Sequence, residues 1–132
     1  MLMFDRWRRS VAQALVEFAL ALPLVVSLTL GVLQLVLYAH ARDVVTGAVQ
    51  EAARVSAEDG RGLDDGYARA QALIGAGLGR SLDQVTVGGS MDAELVSMRA
   101  DAVLQPIVPI GVTLPIHATA WVSRERFRPG GR

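Results

Sequence analysis

The sequence predicts an α+β fold: a long N-terminal transmembrane helix extending out of the membrane, a short second helix, and a small three-stranded antiparallel sheet. Three observations carry that reading. Residues 18–39, FALALPLVVSLTLGVLQLVLYA, hold no charged side chain over twenty-two positions. Ala41, Val45, Ala48, Ala52 and Val55 then recur at spacings of four and three, the period of one helix face. Beyond a loop rich in Gly and Asp, the apolar residues switch to period two, the alternation of half-buried strands.

The uncharged block is long enough for one crossing, because about 20 residues at roughly 1.5 Å each span a hydrocarbon core of about 30 Å. From Phe18 to Leu37, thirteen residues are Leu, Val or Phe. At roughly 0.3 to 0.6 kcal/mol each they favour insertion by about 4 to 8 kcal/mol, of which Ser27, Thr29 and Gln34 offset a part. Arg6, Arg8 and Arg9 precede the block against a single Asp5, whereas Arg42 after it is offset by Asp43. The positive-inside rule therefore expects a cytoplasmic N-terminus and an extracytoplasmic segment from residue 43 to 132. Trp7 and Tyr38 bracket the block as interfacial aromatics would. One helix from about residue 14 to 58 would measure roughly 68 Å, with Pro23 and Gly31 as places where it can kink.

A cleaved secretory signal is the competing reading, since Ala39-His40-Ala41 has the A-x-A form of a cleavage site. A signal core usually runs about 7 to 15 residues, and this one is longer. The helical stripe also continues past the proposed cut.

Glu17 is the one charge that intrudes at the cytoplasmic edge of the block, in the run Gln13-Ala14-Leu15-Val16-Glu17-Phe18. An ionised group at such a depth is costly unless it reaches water or a partner, which makes it a candidate for function. The string AQALVEFALALPL resembles the opening of the TadE-like family, minor pilins or pseudopilins of the tight-adherence (Flp-type) pilus machinery. The matching positions are Ala12, Gln13 to Val16, Glu17, Phe18 and Pro23, with Ala12 standing where the family usually has Gly. Two further stretches are similar: Ala48-Val49-Gln50-Glu51-Ala52-Ala53-Arg54, and the closing Ala118-Thr119-Ala120-Trp121-Val122-Ser123-Arg124-Glu125.

The resemblance implies a pilin-like architecture and a cut between Ala12 and Gln13 by a prepilin-peptidase-type protease, making residues 1–12 a cytoplasmic basic leader. It also implies that Glu17, Phe18 and Pro23 serve assembly with other pilin or pseudopilin subunits and inner-membrane pilus platform proteins. Physical chemistry supports the spacing. A cut at Gln13 creates an α-amino group that is mostly cationic at neutral pH. A carboxylate one helical turn on, or on a neighbouring subunit, would neutralise it.

Residues 59–132 are expected to form a small extracytoplasmic α+β domain. Asp59-Gly60-Arg61-Gly62-Leu63-Asp64-Asp65-Gly66 reads as a loop in which Gly60 stops the long helix. Tyr67 to Leu78 is a short helix capped by Asp64 or Asp65 and weakened by Gly75 and Gly77. Val85 to Val87 and Glu94 to Leu104 read as strands joined around Gly88-Gly89-Ser90, with Val96, Met98, Ala100, Ala102 and Leu104 on one face. After the loop from Gln105 to Gly111, Leu114, Ile116, Ala118, Ala120 and Val122 alternate with polar residues in a third strand, with Pro115 near its start.

Thirteen basic and thirteen acidic residues balance, so a broad cationic surface for nucleic acid is excluded. The absence of Cys excludes disulfides, thiolate metal sites and a Cys nucleophile. His40 and His117 are the only histidines, HExxH is absent, and no local pattern supports a Ser-His-Asp arrangement. Gly75-Ala76-Gly77-Leu78-Gly79 lacks the Lys-Ser/Thr of a phosphate loop and reads as a frayed helix end. Glu58, Asp59, Asp64 and Asp65 miss the EF-hand spacing, so a solvated loop is expected there, with no metal or cofactor. Trp121 is assigned to the core or to helix packing. Arg124, Arg126, Arg128 and Arg132 form a solvated basic tail. A non-catalytic, membrane-anchored pilus component is the expected function. The alternative is a signal-anchored or secreted small binding domain of the cell envelope.

Overall fold

The computed structural model describes residues 2–107 and 111–124, with side chains from residue 11 onward. Elements follow in the order α1 (Leu2–Ala57), α2 (Leu63–Leu78), a 3-10 turn at Gly79–Ser81, and strands β1 (Leu82–Met91), β2 (Leu95–Leu104) and β3 (Leu114–Ser123). The class is α+β, with a long apolar N-terminal helix, a short second helix and an antiparallel sheet of order β1-β2-β3. The side chains of Arg6, Trp7, Arg8 and Arg9, residues 108–110 of the long loop, and Glu125, Arg126, Arg128 and Arg132 lie outside the described residues. Contacts divide the chain into two compact units, one through Leu35 and one from Val36 onward.

The first unit is helix alone. α1 begins at Leu2, earlier than the expected residue 14, because residues 2–12 contain neither Gly nor Pro to stop it. It also runs through Pro23, whose ring removes one backbone donor. Ser27 Oγ donates to Pro23 O at 2.7 Å and Thr29 Oγ1 donates to Val25 O at 2.8 Å. Both hydroxyls are thereby satisfied inside the helix, the arrangement that makes them tolerable in an apolar surrounding.

In the second unit, residues 36–57 of α1 lay their apolar face against the sheet. Ala41, Val45, Ala48 and Ala52 are buried as their spacing predicts, and Val49 and Ala53 widen the packed arc on one side. That shift leaves Val55 half exposed and buries Ser56 completely. Opposite them lie Val96, Met98, Ala100, Ala102 and Leu104 of β2 and Ile116, Ala118 and Ala120 of β3, all buried. Val45, Val49, Val96, Met98 and Ile116 are the largest apolar side chains fully enclosed. Each contributes about 1.5 to 3 kcal/mol relative to exposure.

α2 crosses α1 closely. A Cβ built at Gly66 would stand 2.0 Å from Ser56 Oγ and 2.8 Å from Ala52 O, and one at Gly77 would meet Val44 Cγ1 at 2.7 Å. The glycine that weakens α2 by propensity thus permits its packing. α2 starts at Leu63, four residues before the expected Tyr67, because the Gly62 N–H donates to Asp65 Oδ2 at 3.1 Å and secures the first turn.

Two strand expectations need correction. β1 spans ten residues, and Gly88, Gly89 and Ser90 lie inside it, paired with Arg99, Met98 and Ser97. The reversal comes later, where the Asp92 N–H donates to Leu95 O at 2.8 Å. Gly89 marks close packing rather than a turn, since a Cβ there would reach Met98 Sδ at 2.6 Å. Trp121 is not a core residue: it is 66% exposed. Strand parity explains this, because Ile116, Ala118 and Ala120 take the inner face and leave His117, Thr119 and Trp121 on the outer one.

Candidate functional site

The sequence singled out Ala12, Gln13, Glu17, Phe18 and Pro23, and all five lie on α1 within the first unit. Helical geometry places Glu17 one turn beyond Gln13, and Gln13 Nε2 donates to Glu17 Oε1 at 3.2 Å. Position 13 and the carboxylate are therefore direct neighbours. Phe18 is 63% exposed on the same helix, and Leu15, Val16, Leu20 and Leu22 beside it are exposed as well. An eighteen-residue window of α1 reaches a mean hydropathy of 2.3 with none of it buried within the chain. Such a surface is suited to lipid or to other helices, and the helix fits a single-pass membrane protein.

Continuity of α1 bears on the A-x-A at Ala39-His40-Ala41. Ala41 is fully buried in the second unit, and Tyr38 donates its hydroxyl to Pro115 O at 3.1 Å. A cut after Ala41 would remove Tyr38 from the unit it helps to hold. His40 lies exposed on the helix.

A second constellation, not foreseen from the sequence, occupies the outer face of the sheet. Arg99 and Asp101, two apart on β2, share that face, and His117 stands directly across from Asp101 on β3. Arg99 binds the carboxylate through Nε to Oδ2 at 2.8 Å and Nη2 to Oδ1 at 2.9 Å, while His117 Nδ1 also meets Oδ1. The guanidinium hydrogen bonds first, and the His117 hydrogen bond second, lower the Asp101 pKa to about 2. Register pairing of Asp101 with His117 was the only available signal, and it required knowing how β2 and β3 align. The group is exposed and self-neutralising, with no nucleophile hydrogen-bonded to the imidazole among the described residues, so it is read as a cross-strand tie.

The remaining candidates are separate. Glu58 pairs with Arg61 at 3.1 Å and Asp65 holds the start of α2, so the acidic loop residues do not converge. Among the described residues no group of three or more His, Asp or Glu side chains is placed to hold a metal ion.

An apolar helix long enough to cross a membrane, followed by a small α+β unit, fits the class of single-pass membrane proteins. Residues 12–54 match the model of the family described as TadE-like protein, so this part of the chain is similar to that family. The match opens at Ala12, takes in Glu17, Phe18, Pro23 and the whole apolar block, and closes at Arg54. A component of the tight-adherence pilus machinery fits both the family and the helix. No curated protein and no solved structure matches the chain.

Proposed function

We propose that this protein is a minor pilin or pseudopilin: a non-catalytic, single-pass subunit of tight-adherence pilus assembly, with its N-terminus cytoplasmic and residues 59–132 as a small extracytoplasmic domain. The observation that carries this reading is the coincidence of the TadE-like match with the uncharged apolar block of residues 18–39, preceded directly by the acidic Glu17. In this reading residues 1–12 are a leader removed after Ala12 by a prepilin-peptidase-type protease. The new amino group at Gln13 lies within one turn of Glu17, the spacing at which Gln13 already reaches the carboxylate. Neutralising that charge pair favours packing of α1 among the apolar helices of other subunits, and Phe18 and the leucines around it supply the contact surface.

The test is made in cells carrying the pilus machinery. Glu17→Ala is expected to reduce assembled pili by about tenfold or more while leaving the amount of protein in the membrane fraction unchanged. Intact-mass measurement of the membrane-associated protein should give an N-terminus at Gln13. Normal piliation in the mutant, together with retention of residues 1–12, would sink the reading.

A further inference from the structure

The chain contains two Asp-Gly bonds, Asp59-Gly60 and Asp65-Gly66. At such a bond the glycine nitrogen can attack the aspartate's own side-chain carboxyl and close a five-membered ring, because glycine has no Cβ to crowd the approach. Whether it does so depends on the surrounding fold, which treats the two bonds oppositely. Asp65-Gly66 is held in the first turn of α2. The Gly66 N–H donates to Gly62 O at 3.4 Å, and Asp65 Oδ2 accepts the Gly62 N–H at 3.1 Å. Gly66 is also buried so closely against α1 that a Cβ there would run into Ser56 Oγ and the Ala52 carbonyl. The nucleophile, the electrophile and the space for rotation are all taken.

Asp59-Gly60 lies in the turn between α1 and α2, and both residues are exposed. The Arg61 N–H donates to Glu58 O at 3.2 Å and Gly60 has φ 78°, so Asp59 and Gly60 are the central residues of a turn of type II form. Such a turn bonds only its outer residues. The Gly60 N–H has no hydrogen-bond partner among the described residues. The Asp59 carboxyl has none either, the neighbouring Arg61 being paired with Glu58 at 3.1 Å. Nothing lies within 4 Å of where a Cβ on Gly60 would stand. Ring closure also needs the peptide between the two residues to rotate about the Asp59 Cα–C bond. Neither the C=O nor the N–H of that peptide is hydrogen-bonded among the described residues, so nothing there opposes the rotation.

We propose that Asp59 is a modification site: in the folded protein it isomerises through a succinimide to isoaspartate, while the fold protects Asp65. The Gly60 nitrogen bonds to Asp59 Cγ and loses its proton, and the carboxyl hydroxyl leaves with a proton as water. Water then adds to one of the two ring carbonyls. Attack at the side-chain carbonyl restores aspartate. Attack at the main-chain carbonyl breaks its bond to the Gly60 nitrogen, which stays on Cγ, so the chain now runs through Cβ and Cγ. One water is lost and one regained, with no change of oxidation state and none of mass. The product has one extra methylene in the backbone between α1 and α2, and a free α-carboxylate where the peptide carbonyl stood. This proposal stands apart from the pilus reading and needs only the second unit.

The full chain in lipid nanodiscs is incubated for weeks in neutral buffer made with heavy-oxygen water, then digested in ordinary water. Cleavage after Arg54, Arg61 and Arg69 puts the two aspartates on separate peptides, 55–61 and 62–69. Each passage through the ring leaves one solvent oxygen in the residue, and electron-transfer fragmentation tells isoaspartate from aspartate. Peptide 55–61 is expected to gain both at least about tenfold faster than 62–69, because Asp65 must wait for the first turn of α2 to open. In denaturant the two rates should come together. Asp59→Glu keeps the charge but allows only a slower six-membered ring; it should abolish the gain in 55–61 and leave 62–69 unchanged. Equal rates in the folded chain, a ratio that denaturant does not reduce, or no isoaspartate at position 59 would overturn the proposal.

Discussion

α1 carries two apolar stretches built from different residues. Between Phe18 and Leu37 the side chains are mostly Leu and Val and stand exposed; between Ala41 and Ala57 the buried ones are mostly Ala. Both stretches are helical, and apart from the donor missing at Pro23 the difference lies in what meets the side chains. Large, conformationally free side chains give the first stretch apolar area to offer a lipid phase or other helices. Small ones let the second approach a sheet whose own facing residues include Ala100, Ala102, Ala118 and Ala120. Side-chain size along a single helix thus marks where it serves an external apolar phase and where it serves its own fold.

A matched pair of substitutions sharpens that contrast. Val45→Asp places an unpaired carboxylate in a fully buried site and should destabilise the second unit by about 4 kcal/mol or more, abolishing its cooperative thermal unfolding. Leu28→Asp changes an exposed side chain of the first unit and should cost about 3 kcal/mol of membrane insertion, while the melting temperature of the second unit should not change. Carbonate extraction reads the first stretch and circular dichroism the second. Equal effects of either mutation on both measurements would break the comparison.

The helix was legible because its signals are local: charge-free length for the first stretch and a 3-4 repeat for the second. The inner faces of β2 and β3 were legible for the same reason, each alternation being carried within one strand. Trp121 was misread because its type argues for burial, whereas strand parity, set by Ile116 and Ala118, sends it outward. Gly88-Gly89-Ser90 was misread as a turn because the demand for glycine at position 89 comes from Met98 on another strand and Leu63 on α2. Likewise Gly66 read as part of a loop and Gly77 showed only its propensity cost, and neither showed the helix it approaches. The Arg99, Asp101 and His117 group depends on register between strands, which no single segment contains.

Gly66 offers the next largest effect. Alanine would gain about 1 kcal/mol in helix propensity. Its Cβ would nevertheless meet Ser56 Oγ and the Ala52 carbonyl, so Gly66→Ala should be destabilising by about 1 to 3 kcal/mol. Ser56 Oγ is buried without a hydrogen-bond partner among the described residues, so Ser56→Ala alone should raise stability by about 1 kcal/mol. Combined, the two changes should cost less than Gly66→Ala alone, since removing the hydroxyl relieves the closer contact and leaves the backbone one. Chemical denaturation of the four forms measures the coupling; additive effects would mean that α2 moves as a body instead of meeting Ser56.

The smallest effect belongs to the outer face of the sheet, where Asp101 is about one-third exposed and water screens its partners. Its carboxyl is held at about 2, below the ordinary 3.8, so the charged form is favoured by folding. Stability from this group is therefore fully present above the unfolded value and is lost as pH falls through about 2. Asp101→Asn imitates the protonated acid. The melting temperatures of the two forms should differ by a small, nearly constant amount from about pH 6 to about pH 4, converge below that, and coincide only below about pH 2. Arg99→Ala should remove more of the difference than His117→Ala, because the guanidinium supplies the largest part of the shift. A gap that persists unchanged at the lowest pH would assign the effect of Asp101→Asn to lost packing between β2 and β3 rather than to charge.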